Sequence, residues 1–242
     1  MIKDIIREHD KYNLRATEWD VRGNQKLSIE LVQNLDDTLE AHEDLYYLCS
    51  NELGYKERAI DLKFSDDTYI FMNPLFNKRD DLVLSREHDR LSGKEYIIPR
   101  YSTVEIVFQD CLGSNKVVKL VKDAAIIMCQ AMDTIDGIFA SDYGLEILPE
   151  FDRATKEEQT EVIEAYLNSL QESYKKLDEE LSNDKEVGDA WKAAKFTKAI
   201  ADGSVELDNS NNELSNRKKK KIERFVKQIK QKANKLKFWR KK

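Results

Sequence analysis

The chain has 242 residues, of which 40% are apolar and 36% charged. That is enough apolar material for one substantial domain with extensions, or two small ones, under an unusually charged surface. No run of about 18 apolar residues is present, so a membrane span is not expected, and Met1–Asp10, with Asp4, Arg7, Glu8 and His9, leads into no apolar signal-peptide core.

Leu31, Leu35, Leu39, Leu45, Leu48 and Leu53 recur at broadly helical spacing and predict a helix over Leu27–Leu53, with Gly54 placed to end it. Short β-rich runs follow. Tyr69–Met72 leads into the turn signal Asn73-Pro74, Thr103–Phe108 alternates with a period of two, and Val117–Val121 is a further strand. A helical pattern returns from Asp123 to Ile135 and stops at Asp136-Gly137. Strands bracketed by two helices predict an α+β domain over residues 1–150.

Beyond Pro149, Thr155 and Glu158 form a capping box ahead of a stripe at Val162, Ile163, Tyr166, Leu167, Leu170, Tyr174, Leu177 and Leu181. A shorter helix from about Val187 to Ala201 completes a helical extension over 151–201, and the polar stretch Asp202–Asn216 reads as a flexible linker. Residues 217–242 hold 14 Lys or Arg against one acid, Glu223, a net +13, which leaves 26 bases and 45 acids, a net −19, in residues 1–216. Ile222, Phe225, Val226, Ile229, Ala233 and Leu236 recur at three- and four-residue steps, which predicts a basic amphipathic helix ending in Phe238-Trp239. The expected partner-binding residues are Lys218, Lys219, Lys220, Lys221, Ile222, Arg224, Phe225, Ile229, Leu236 and Trp239. They suit a protein groove, or phosphate on nucleic acid, a ribosome or an anionic membrane. A solvated helix, or one folded back on the acidic body, is the plain alternative.

Few residues suggest independent chemistry. Cys49, Cys111 and Cys129 show no paired spacing and read as reduced thiols. His88, Cys129 and Asp133 can be drawn as a metal cluster, but Cys129 reads more naturally as a small buried apolar residue. His9 and His42 lie on polar segments. Glycine-rich phosphate loops, Gly-x-Ser-x-Gly and paired Cys-x-x-Cys are absent.

Asn13-Leu14-Arg15, Leu35–Leu39 with Thr38, Met72-Asn73-Pro74-Leu75, Ile98-Pro99-Arg100-Tyr101 running on to Gln109-Asp110 and Gly113, and Ala125–Ile138 with Asp133 and Gly137 retained stand in a telling order. Over about 135 residues this series resembles peptide deformylase, a metal hydrolase that removes formyl groups from nascent chains. The resemblance implies a metal held by one cysteine and by the two histidines of a helical His-Glu-x-x-His, with the glutamate as general base. It places those histidines at Gln130 and Thr134, the glutamate at Ala131, and the cysteine at Arg90 within Asp89-Arg90-Leu91-Ser92. The oxyanion-stabilising glutamine falls at Glu52, and small glycines at Leu45 and Tyr47.

These replacements are incompatible with the parent reaction. Guanidinium does not ligate a divalent cation, alanine moves no proton, and a carboxylate repels a developing oxyanion. The expectation is a pseudo-deformylase with no cofactor, in which Arg90 pairs with Glu52, Asp89 or Asp133. It would act as a non-catalytic scaffold or assembly protein, cytoplasmic or in a virion if the chain is a tailed-phage tail or baseplate component. Because the family works at the ribosome through a C-terminal helix, a ribosome- or RNA-associated factor is the alternative, and an active deformylase with a rebuilt metal site comes last.

Overall fold

The computed structural model describes residues 1–6, 15–64 and 67–183, in two units that divide between Ile147 and Leu148. The first is an α+β unit built on one antiparallel sheet of six strands. In chain order it runs through helix α1 (Gln25–Glu40), β1 (Tyr47–Cys49), a 3₁₀ turn (Ser50–Leu53), β2 (Ala59–Phe64), β3 (Asp67–Asp89), β4 (Lys94–Gln109), β5 (Asn115–Val121), α2 (Asp123–Ile135), the short α3 (Ala140–Tyr143) and β6 (Leu145–Glu146). Strand order is β1-β2-β3-β4-β5, with β6 against β4.

The first helix is shorter than its leucine spacing suggests. Leu31, Leu35 and Leu39 do share its buried face, but the helix stops at Glu40. The polar run His42-Glu43-Asp44 makes the turn, with Leu45 N–H donating to His42 O. Leu45 and Leu48 rejoin the same apolar cluster from the turn and from β1, which is why the leucine period continues past the end of the helix. Gly54 ends the 3₁₀ turn instead, at φ +80°. Asn73-Pro74 likewise does not end a strand. Asn73 adopts φ +49° and the β3–β4 register shifts between Met72 and Leu75. A β-bulge absorbs the turn signal and the strand continues to Asp89. The second helix runs from Asp123 to Ile135 as expected, and Gly137 beyond it takes φ +68°.

Near β1 and β2 the sheet is covered on both faces. Ile60 and Leu62 pack with Ala125, Met128, Met132 and Ile135 of α2, while Ala59, Leu48 and Met72 pack with Leu31, Leu35 and Leu39 of α1. Strand β2 is therefore buried on both sides and lacks the alternation that reveals a half-exposed strand.

In the second unit, Pro149 opens α4 (Pro149–Arg153) and the capping box opens α5 (Lys156–Asn183). Thr155 N–H donates to Glu158 Oε2 at 2.8 Å, and Glu158 N–H donates to Thr155 Oγ1 at 3.3 Å. No helix among the described residues is long and apolar enough to cross a membrane. The expected helix near 187–201, the linker at 202–216 and the tail with Lys218–Ile222, Arg224, Phe225, Ile229, Leu236 and Trp239 lie outside the described residues.

Candidate functional site

Three segments meet where the family resemblance places its metal: the turn after β3, the 3₁₀ turn after β1, and helix α2. Asp89 organises the first. Its Oδ1 accepts from Leu91 N–H and its Oδ2 from the Ser92 hydroxyl, while Gly93 at φ +68° closes the hairpin into β4. Asp89 is thus spent on its own turn, and Arg90 is left to reach across to the 3₁₀ turn. There Arg90 Nη2 lies 3.3 Å from Glu52 Oε1, and its guanidinium lies over the Tyr47 ring, 4.3 Å from the centroid.

Glu52 is fully buried, so a counter-charge is needed to hold it. Its other oxygen accepts the Cys49 backbone N–H at 2.8 Å. Of the three expected partners of Arg90, Glu52 is the ion-pair partner. The residue at the position the resemblance gives to the metal's cysteine is thereby held by the one at the position it gives to the oxyanion glutamine.

Gln130 and Thr134 face the same small cavity as Arg90 and Tyr47, and its volume is about 50 Å³. Thr134 Oγ1 is hydrogen-bonded to the Tyr47 hydroxyl at 3.0 Å, and Asn51 Nδ2 donates to Thr134 O at 2.8 Å. Burial, only partly offset by Arg90, pushes the Tyr47 hydroxyl up to about 12, so it stays protonated. Ala131 belongs to the apolar core, and Leu45 joins the cluster on the α1 face. Tyr47, Arg90 and Thr134 fill the cavity walls, leaving about the room of a water or two.

A second polar group, Arg100 with Glu87 and Asp133, lines the same cavity, and Tyr143 is hydrogen-bonded to it. Arg100 donates from Nε and Nη2 to the two Glu87 oxygens at 2.6 and 2.7 Å, and from Nη1 to Asp133 Oδ2 at 2.6 Å and to the Tyr143 hydroxyl at 2.7 Å. Tyr143 in turn donates to Asp133 Oδ2. Burial opposes the Arg100 charge, but the carboxylates outweigh it and hold the guanidinium firmly protonated. Burial and then Asp133 drive the Tyr143 hydroxyl well up. The resemblance marks Arg100 and Asp133 but not Glu87 or Tyr143. A buried arginine on a core strand demands anionic partners, and that demand was the available signal.

The alternative His88, Cys129 and Asp133 cluster does not form. His88 is exposed, Asp133 is committed to Arg100 and Tyr143, and the buried Cys129 thiol faces Tyr101 O. Burial raises both the Cys129 and Cys49 thiols, so neither is a thiolate nucleophile. No group of three His, Cys, Asp or Glu side chains among the described residues is placed to hold a metal. The ligands and general base of a metal hydrolase are replaced by ion pairs, an aromatic ring and apolar packing.

Solved structures share this fold. A class I type b peptide deformylase from Acinetobacter baumannii superposes with a TM-score of 0.51 at 14% identity, covering 57% of this chain and 95% of the other. A deformylase from the Vibrio parahaemolyticus bacteriophage VP16T, solved with actinonin, gives 0.50 at 20% identity, covering 56% and 98%. One from Synechococcus elongatus, also with actinonin, gives 0.52 at 18%, covering 58% and 79%. At these identities the likeness shows the fold alone. No curated protein matches the chain. Residues 2–147 match the polypeptide deformylase family, and the chain, without the metal-binding cluster of an active deformylase among its described residues, belongs to that family.

Proposed function

We propose that this protein is a non-catalytic deformylase-fold scaffold that binds another protein within a larger assembly. The Arg90–Glu52 pair carries the reading. It neutralises the two positions that would otherwise hold metal and oxyanion, and with Tyr47 it leaves about 50 Å³ where a peptide end would have to enter. The fold is kept while the reaction centre is narrowed to a small cleft walled by Tyr47, Arg90 and Thr134, and selection for a stable shape produces that combination more readily than selection for hydrolysis.

The basic segment 217–242 is the proposed partner contact. Its net +13 opposes a body at −19, and the polar stretch 202–216 separates the two in sequence. A tailed-phage tail or baseplate assembly is the finer form of this proposal, with virion proteins as the partners. Affinity purification of the full chain and of a chain ending at residue 216 tests it. Loss of one defined protein partner on truncation supports a scaffold acting through its tail. Enrichment of ribosomal proteins or RNA in its place would transfer the function to the ribosome. Phosphate contacts would weaken steeply with salt, whereas a groove filled by Phe225 and Ile229 would not.

A further inference from the structure

The face of the sheet under α1 carries a feature that the deformylase-like site does not use. Asp61 sits in the middle of β2, paired in register with Leu48 of β1 and Ile70 of β3. Its side chain is fully buried, and neither carboxyl oxygen makes a well-aligned hydrogen bond, the Leu62 backbone N–H being the one donor that acts on the group. A buried carboxylate without a counter-charge is among the costliest groups a fold can hold, and neutralisation by a proton is its usual escape.

The neighbours enforce that outcome. From α1 the charged groups acting on Asp61 are Asp36 and Glu40, both acids. The cross-strand residues Leu48 and Ile70 are uncharged, and α2 packs on the opposite face of β2 through Ile60 and Leu62. Lys63, the next residue on the Asp61 face, is half-exposed and forms no salt bridge with it. Asp36 is itself engaged by the Thr68 hydroxyl at 2.8 Å. A metal is not the answer, because no three acidic side chains among the described residues are placed to share one.

We propose that Asp61 is a proton-dependent latch beneath helix α1: the helix seats on the sheet while the Asp61 carboxyl carries its proton, and loosens once that proton passes to solvent. This inference stands whether or not the scaffold reading does. Burial first, then Asp36, raises the carboxyl to about 7, with the Leu62 N–H opposing and Glu40 adding to the shift. In the unfolded chain the same group ionises near its ordinary value of 3.8. Between those values the folded state holds one proton more than the unfolded, so stability falls as pH rises through the window and levels off above about 7. The apolar residues that a loosened α1 would uncover are Leu31, Leu35, Leu39, Leu48 and Met72, so the latch would gate exposure of a hydrophobic surface in the neutral range.

The test compares the full-length wild type with Asp61→Asn, which keeps the shape and cannot ionise. From pH 5 to pH 8 the Tm advantage of the Asn variant should grow by about 5–10 °C. Amide exchange over Leu31–Leu39, corrected for its intrinsic pH dependence, should accelerate in the wild type alone. A Tm gap that stays constant with pH overturns the latch. Should the Asn variant fail to fold, ¹³C titration of the Asp61 carboxyl in the wild type decides instead. A midpoint near 7 supports the proposal and one near 4 overturns it. An Asp61-dependent rise in Tm on adding magnesium or calcium would also overturn it, in favour of a cation site.

Discussion

Two regions of one sheet bury acids in opposite ways. On the α2 side the buried Glu52 faces Arg90, and the buried Glu87, with the partly exposed Asp133, faces Arg100, while the buried Asp89 is held by the Leu91 N–H and the Ser92 hydroxyl. On the α1 side Asp61 meets only Asp36 and Glu40. The first region lies where the resemblance places a metal, and there arginines balance the acids. The second region has no counter-ion and stays neutral only through a proton.

The largest expected effect comes from breaking the paired side. Arg100→Met leaves Glu87 and Asp133 facing each other without their cation, and should cost about 3–5 kcal/mol, read as a lowered denaturant midpoint with an unchanged slope. A loss under 1 kcal/mol would show that the network adds little. Arg90→Met strands the buried Glu52, but the guanidinium it removes is 30% solvent-exposed and Glu52 keeps the Cys49 N–H. About 2 kcal/mol is expected. The double variant Arg90→Met/Glu52→Gln should recover part of that loss, because removing both charges relieves the stranded one.

Much of the fold was legible in the chain. The helix at Asp123–Ile135, the strand at β5 and the capping box at Thr155 and Glu158 each follow from local pattern and local hydrogen bonds. Strand β2 was not legible, because burial on both faces erases its alternation. The end of α1 was obscured by Leu45 and Leu48, which continue the leucine period from other elements. At the site, Arg90, Gln130, Ala131 and Thr134 could be read position by position as lost ligands and base. The choice of Glu52 over Asp89 and Asp133 as the Arg90 partner could not, since it depends on which acids the turn after β3 and Arg100 had already claimed. Asp61 carried no sequence signal, because its meaning lies in the neighbours that fail to pair with it.

Rebuilding the catalytic pattern sharpens the contrast further. Arg90→Cys, Gln130→His and Thr134→His place three ligands around one cavity, and with Ala131→Glu added from the adjoining core they should yield measurable zinc or nickel binding without deformylation, since Glu52 and Tyr47 still occupy the oxyanion side. The smallest effect is expected in the second unit. Thr155→Ala removes one half of the capping box of α5 and should cost about 1 kcal/mol, visible as faster amide exchange in the first turn of that helix.

The most direct test is metal content and turnover on the same purified, unmodified chain. Elemental analysis together with a formyl-methionyl peptide assay should give well under one transition metal per chain and no deformylation above the uncatalysed rate. About one zinc, iron or nickel per chain together with released formate would contradict the account.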